Sequence, residues 1–294
     1  MTPLVSLITV NYNGLTDTCE MIESFRKKET YPNYEIIVVD NGSKLPEAKE
    51  IQKKYPDIKV VQNINNGFAG GNNAGLNVAE GEYYFFINND TLIKEPVLET
   101  LVHRLEEDTK NGGVSPMLKF TQAPDTLQYA GFTPLTPITL RNKSIGYMQK
   151  DQPQYRLAYP TASLHGAAMM VRRDVLRQIG PMTEIYFLFY EELDWSAQML
   201  RAGFKIWYEP AAVVYHKESM TVHKGTPFRE FYLSRARLLY ARRNTFGLAR
   251  IFSCLYICLI AAPKKAIVYL LHGNTSLAWA VIKGTLNGFT VNNR

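Results

Sequence analysis

The sequence predicts an α/β fold, with a mostly parallel central sheet flanked by helices and a helical extension at the C-terminal end. Three observations carry that reading. Apolar runs rich in Val, Ile, Phe and Tyr alternate with amphipathic segments through residues 4 to 108, the order that gives parallel strands joined by right-handed crossovers and buried on both faces. Each of these runs stops in Asn or Asp. The charge, +6 overall, divides unevenly: residues 217 to 294 hold 12 Lys and Arg against two acids, whereas residues 1 to 216 hold 21 bases and 25 acids. At 294 residues, 46% apolar and 20% charged, the chain can bury one large core, with or without a smaller appendage.

The first strand is LVSLITV, followed by a helix over residues 15 to 28; the second is YEIIVV, followed by a helix over 46 to 55. The third is IKVV with a helix over 70 to 79, and the fourth is EYYFFI with a helix over 94 to 108. Their β-branched and aromatic side chains suit a buried, pleated surface. Further on, YFLFY delivers Glu191 and Glu192 to a helix starting near Asp194, and the strand AAVVY ends at His216. Residues 228 to 250 read as a helix with a basic flank. IFSCLYICLIAAP then runs for 13 residues before Lys264 and Lys265, and AIVYLLHG follows. Neither run reaches the roughly 20 residues of a spanning helix.

In an open parallel sheet the strand ends share one edge, and ligands bind outside the carboxyl ends. The polar stops therefore line a single crevice: Asn11 and Asn13, Asp40 and Asn41, Asn65 and Asn66, then Asn88, Asn89 and Asp90. Any one of them could simply turn the chain or cap a helix. Capping does not require three polar residues in a row after a buried strand. The segment NINNGFAGGNNAG adds glycines that let backbone approach a ligand, and helix-start amides that suit a phosphate. It holds neither G-x-G-x-x-G nor G-K-[ST], so dinucleotide oxidoreductases and P-loop ATPases lose their usual support. A carboxylate beside a nucleoside diphosphate repels it unless a divalent cation lies between, which makes Asp90 a candidate anchor for Mg2+ or Mn2+. The acid pair at the mouth of YFLFY is either a general base, its proton affinity raised by desolvation, or a helix start that acids stabilise anyway.

The ordered set LITVNYN, IIVVDNGS, NNGFAGGNNAG, FFINND, GAAMMVRR, FLFYEELDW, RAGF and VVYH resembles the family 2 glycosyltransferases over roughly residues 4 to 245. These are inverting enzymes of the GT-A nucleotide-diphospho-sugar transferase fold. Within them the chain is similar to the rhamnosyltransferase-like members that extend cell-surface polysaccharide on the cytoplasmic face of a membrane. The resemblance implies a GT-A catalytic domain over residues 1–227, its nucleotide-binding half ending about residue 115, and a membrane-associated extension over 228–294.

Residue by residue, it implies that Asp40 contacts the nucleoside while Thr9 and Asn11 line the base pocket. Asn72, Asn88 and Asn89 would lie beside ribose and diphosphate. Asp90 keeps the metal-binding carboxylate of an Asp-x-Asp motif whose first position is Asn88 here, and His216 completes the metal site. Glu192 falls on the general base, with Glu191 as second choice and Asp194 beside it. Trp195 either offers a face to an acceptor sugar or packs in the core.

The implied donor is a UDP- or dTDP-linked sugar, with rhamnose a candidate, and the acceptor is a saccharide or a polyprenyl-linked glycan. A sugar-nucleotide pyrophosphorylase would share the sheet but needs a Gly-rich, Lys/Arg-containing loop after the first strand, where this chain has NYNGLTDT. A non-catalytic nucleotide-sugar-binding relative is the remaining alternative. For the basic end, a segment lying on anionic lipid fits, since basic side chains flank apolar ones. Packing on the catalytic domain, or on a second subunit in a homodimer, is the other reading. No nucleic-acid motif accompanies the charge. The opening MTPLVSLITVNYN lacks the basic start and cleavage site of a signal peptide, so the expected location is cytoplasmic, peripheral on the inner face of the cell membrane. Cys19, Cys254 and Cys258 are read as structural thiols.

Overall fold

The computed structural model describes residues 2–217 and 225–292. The chain opens with β1 (Val5–Asn11), α1 (Leu15–Lys28), β2 (Tyr34–Asn41), α2 (Glu47–Lys54), β3 (Lys59–Asn63), α3 (Gly67–Leu76), β4 (Tyr83–Ile87), β5 (Thr91–Ile93) and α4 (Leu98–Glu106). There follow β6 (Asn111–Phe120), β7 (Ala123–Tyr129), β8 (Tyr159–Pro160), β9 (Ala168–Arg172), α5 (Arg173–Ile179), α6 (Glu191–Arg201) and β10 (Lys205–His216). The C-terminal helices are α7 (Pro227–Asn244), α8 (Gly247–Tyr256), α9 (Ala262–Leu271) and α10 (Thr275–Thr290).

Strands β3, β2, β1 and β4 pair in that order and in parallel, in a register that sets Asn11 beside Asp40. Beyond β4 the sheet is mixed. β9 runs antiparallel between β4 and β6, β10 runs parallel to β6, and β5 closes the path antiparallel to β10. Leu7, Val38 and Phe85 enter one core, while their neighbours Ile8, Ile37 and Phe86 enter the other. Both faces are covered, so the strands read as unbroken apolar runs rather than alternating ones.

Two helix starts differ from the sequence reading. The fourth helix begins at Leu98 because the Glu29 carboxylate accepts from the Val97 and Leu98 amides at 2.9 and 3.1 Å, a cap supplied from another element. Helix α6 begins at Glu191, earlier than Asp194, so both acids lie in its first turn.

The C-terminal segment is bound to the body, and much of its charge is used internally. Arg242 donates to the Gly288 and Val291 carbonyls, tying α7 to α10. The two helices approach closely enough that a Cβ on Gly284 would overlap the Phe231 carbonyl. Helices α8 and α9 are joined through a π-helical turn, Ile257–Ala261, into one continuous helix, Gly247–Leu271. This corrects the reading of two short runs. Pro263 sits in the first turn of α9, after the wide π turn, where its missing amide breaks no regular ladder.

By length and composition the 25-residue helix could cross a membrane, with a mean hydropathy of 1.8 in its apolar window and 17% of that window buried. One stripe of it, Ser253, Ile257 and Ala266, is buried against the body, with Ser253 donating to the Pro137 carbonyl at 3.0 Å. Phe252, Leu259, Ile260 and Leu271 are exposed.

Candidate active site

The end of β4 and the end of β10 meet through β5, whose Thr91 pairs with His216. That register brings the Asp90 carboxylate within 3.1 Å of His216 Nε2, both side chains being nearly buried. On the other side of the ring, Nδ1 lies 2.8 Å from Gln128 Oε1 at the end of β7. Burial alone would raise the Asp90 carboxyl, but the hydrogen bond to His216 and the nearby His216 and Lys217 charges bring it below its ordinary value.

With Nδ1–H donating to Gln128, Nε2 faces the Asp90 carboxylate with its lone pair, an arrangement that can take a cation between the two. One carboxylate oxygen and one imidazole nitrogen suit Mg2+ or Mn2+ that completes its shell with phosphate oxygens and water. Among the described residues no third His, Cys, Asp or Glu joins them. The donor set therefore fits a metal shared with a diphosphate better than one caged by protein.

The asparagines before Asp90 divide the work. Asn88 is half-exposed, and its side chain makes no hydrogen bond to a described residue. Asn89 Nδ2 donates to Thr18 Oγ1 at 3.0 Å, tying the turn to α1.

At the β1–β2 end of the crevice, Asp40 is nearly buried beside Asn11. Asn11 is fully buried, its amide donating to Glu47 at 2.8 Å and to Asp40 and Ser43 at 3.2 Å each, while its oxygen accepts from Thr18 at 2.7 Å. Thr9 is fully buried as well, with Oγ1 unpartnered. Asn72, 2% exposed, donates to the Phe68 carbonyl one turn earlier. All three side chains are buried. The polar atoms of Asn11 and Thr9 are covered by neighbouring elements, so these two form the wall behind Asp40, whereas Asn72 spends its amide within the Gly-rich helix and keeps its oxygen unpartnered among the described residues.

The opposite wall is a strained loop. Phe187, Phe189 and Tyr190 have φ of 63°, 70° and 73°, a conformation that bulky side chains rarely adopt and that costs on the order of 1–3 kcal/mol each. Contacts from two directions hold it there. The Phe68 amide donates to the Phe187 carbonyl at 2.9 Å, an approach possible because Gly67, at φ +90°, has no Cβ to overlap that carbonyl. From α7, Arg235 donates to the Ile185 and Tyr186 carbonyls at 2.8 and 2.9 Å, and Tyr232 stacks on Phe187.

The loop ends by delivering Glu191 and Glu192. Burial raises both carboxyls well above the usual carboxylate range, and the Glu192 charge adds to the shift of Glu191. Their surroundings differ. Glu191 is 3% exposed with Oε2 unpartnered, whereas Glu192 is half-buried and 3.8 Å from where a Cβ on Gly166 would lie. The next residue, Ala167, accepts the Asn88 amide at 2.9 Å, which sets Glu192 beside the end of β4. Glu192 is thus the acid of the pair that reaches the crevice.

Asp194 is enclosed by the framework, and of the two readings of Trp195 the structure has the core one. Asp194 is fully buried and accepts from Arg243 Nε at 2.9 Å, Gln198 at 2.7 Å, Tyr186 at 3.3 Å and also Asn244. With its oxygens spent, it joins α6 to α7 and has none left for a substrate. Trp195 is fully buried, set edge-on to Phe86, with its indole N–H donating to the Gly180 carbonyl at 3.0 Å. It is core, with no face open to a sugar.

Sequence reasoning missed Gln128, Arg235 and the Arg243–Asp194 link. Arg235 and Arg243 are eight residues apart, which puts them on one helix face, a signal that was available. Gln128 carried none, because its partner is 88 residues away.

The chain matches the family model described as Glycosyl transferase family 2 over residues 6–180. It is 34% identical to the glycosyltransferase GlyG of Streptococcus pneumoniae over 113 residues, 36% of each chain. A low-salt glycan biosynthesis hexosyltransferase of Haloferax volcanii is 26% identical over 210 residues, 69% of this chain and 63% of that protein. The matched stretches thus span about one third to under two thirds of these relatives' length. Among solved structures, GalNAc-T7 with UDP, GalNAc and Mn2+ superposes with a TM-score of 0.64 at 16% identity, over 82% of this chain and 50% of that one. The mannosyltransferase PcManGT of Pyrobaculum calidifontis, in complex with GDP-Man and Mn2+, does so at 0.58 and 15%, over 98% and 88%. The mixed sheet, the polar crevice at its carboxyl edge and the family match lead to one conclusion: the chain belongs to glycosyl transferase family 2 and has the GT-A fold.

Proposed function

We propose that the protein is an inverting glycosyltransferase that moves a sugar, rhamnose being a candidate, from a UDP- or dTDP-linked donor to a hydroxyl of a saccharide or polyprenyl-linked acceptor in cell-surface polysaccharide synthesis. The observation that carries this reading is Glu192, a half-buried acid of raised proton affinity at the crevice that Asp90 and His216 also line. Asp40 holds the nucleoside, Asn88 and Asn89 lie beside the diphosphate, and Asp90 and His216 hold Mg2+ or Mn2+. The bound metal would supply charge neutralisation for the departing diphosphate. Glu192 accepts the proton of the acceptor hydroxyl as that oxygen bonds to the anomeric carbon and the bond to the diphosphate breaks. One displacement inverts the configuration, and no covalent nucleophile is needed.

The membrane reading is that the Gly247–Leu271 helix lies along a bilayer surface on the inner face of the cell membrane. It is supported by the stripe docked on the body, which keeps lipid from surrounding the helix, and by the apolar face left exposed. The activity test is donor hydrolysis and transfer by Glu192→Gln and Asp90→Ala. Loss in both is expected, and wild-type rates in both would sink the site assignment.

A further inference from the structure

A cavity of about 330 Å3 lies between the loop around Arg141, the strained Tyr190, helix α7, the π-helical turn and α10. Its lining brings together Arg141, Arg237 and Lys265 with Ser234, Tyr190 and Val281. The cations are unequally engaged. Lys265 pairs with Glu230, and Arg237 donates one Nη to the Thr139 carbonyl while its Nε is buried without a partner. The Arg141 side chain is exposed and makes no hydrogen bond or ion pair with a described residue. Against one acid, three cations leave a local excess that matches a phosphate group.

Two walls say what else the ligand carries. Tyr190 immediately precedes Glu191 and Glu192, so the cavity abuts the loop that presents the base. The lining also includes Ile257, Ala261 and Ala262 of the helix whose outer side chains, Leu259 and Ile260, are exposed. A ligand with an anionic head in the cavity would therefore continue over apolar surface on one side and toward Glu192 on the other.

We propose that this cavity binds the phosphate of an isoprenoid-phosphate-linked acceptor. The lipid lies along the exposed helix, and the glycan is directed to the base. This rests on the glycosyltransferase reading and names its acceptor class.

The test is calorimetric titration of the full chain with farnesyl diphosphate, inorganic pyrophosphate and farnesol as probes. Farnesyl diphosphate should bind at least about 10-fold more tightly than either half alone. Arg141→Glu, which removes an otherwise unengaged charge, and Ser234→Trp, which fills the cavity, should each weaken it by about 10-fold or more with the melting temperature retained. Equal binding of pyrophosphate, binding by farnesol alone, no binding, or indifference to both variants would overturn the proposal. Donor hydrolysis, measured alongside, should be unaffected by Arg141→Glu. If the wild type lacks it while the Arg141-dependent binding stands, the enzymatic reading fails and the anionic lipid site survives.

Discussion

Replacing Asp194 by Asn tests whether this carboxylate is architecture or chemistry. The side chain is fully buried, and its partner Arg243 is 23% exposed. Asparagine keeps the shape but removes the carboxylate charge that the Arg243 Nε faces, and removing one partner of a buried pair costs about 3–5 kcal/mol. Because Arg243 reaches some water, the low end, about 3 kcal/mol, is expected. At about 2–4 °C per kcal/mol for a domain of this size, the melting temperature should fall by about 6–12 °C in calorimetry. A double variant, Asp194→Leu with Arg243→Met, removes both charges and should recover much of the loss. Donor hydrolysis per folded molecule should stay within about 10-fold of wild type, below the 10²–10⁴-fold typical of a lost general base. A shift under about 2 °C accompanied by loss of turnover would refute the reasoning and return Asp194 to the catalytic set.

Other perturbations have equally definite outcomes. Glu192→Gln should lower transfer by about 10²–10⁴-fold, and in the wild type the acidic limb of the rate profile should sit above the usual carboxylate range, because burial favours the protonated, inactive form. Glu191 has a folded-state proton affinity above its unfolded one, so its contribution to stability falls as pH rises from about 4 through the folded value. Glu191→Gln should then melt near wild type at pH 4 and above it at pH 8. Gln128→Leu should raise the Mn2+ needed for half-maximal activity by about 10–100-fold, since it frees the ring that His216 presents. Gly67→Ala should lower the melting temperature, because its φ of +90° and the Phe187 carbonyl both exclude a Cβ. Leu259→Glu should weaken sedimentation with anionic vesicles without changing donor hydrolysis.

Much of the fold is legible because its signals are local. Apolar runs of strand length, polar stops and intervening amphipathic segments specify β1 to β4 and their helices, and the ordering of those stops locates the crevice. The Asp90 and His216 positions also follow from strand ends, since each closes a run that the sequence marks. The antiparallel insertion of β9 between β4 and β6 has no such signal, because which strand neighbours which is settled by packing over long separations.

By itself, the sequence determined the fold class, the family, the crevice and the pair of acids at the start of α6, because periodicity and residue type over a few positions carry that information. Tertiary structure decided which polar atoms remain available. Asn11, Thr9 and Asn72 look alike on paper to Asn88, yet neighbouring elements bury the first three and leave the last half-exposed. It left Glu192 half-buried and Glu191 buried, enclosed Asp194 and Trp195 in the framework, and merged two apolar runs into one helix. Burial and hydrogen-bond partnership are properties of the surroundings, and those surroundings are distant in sequence: Asp194 takes its arginine from 49 positions away and Asp90 its imidazole from 126.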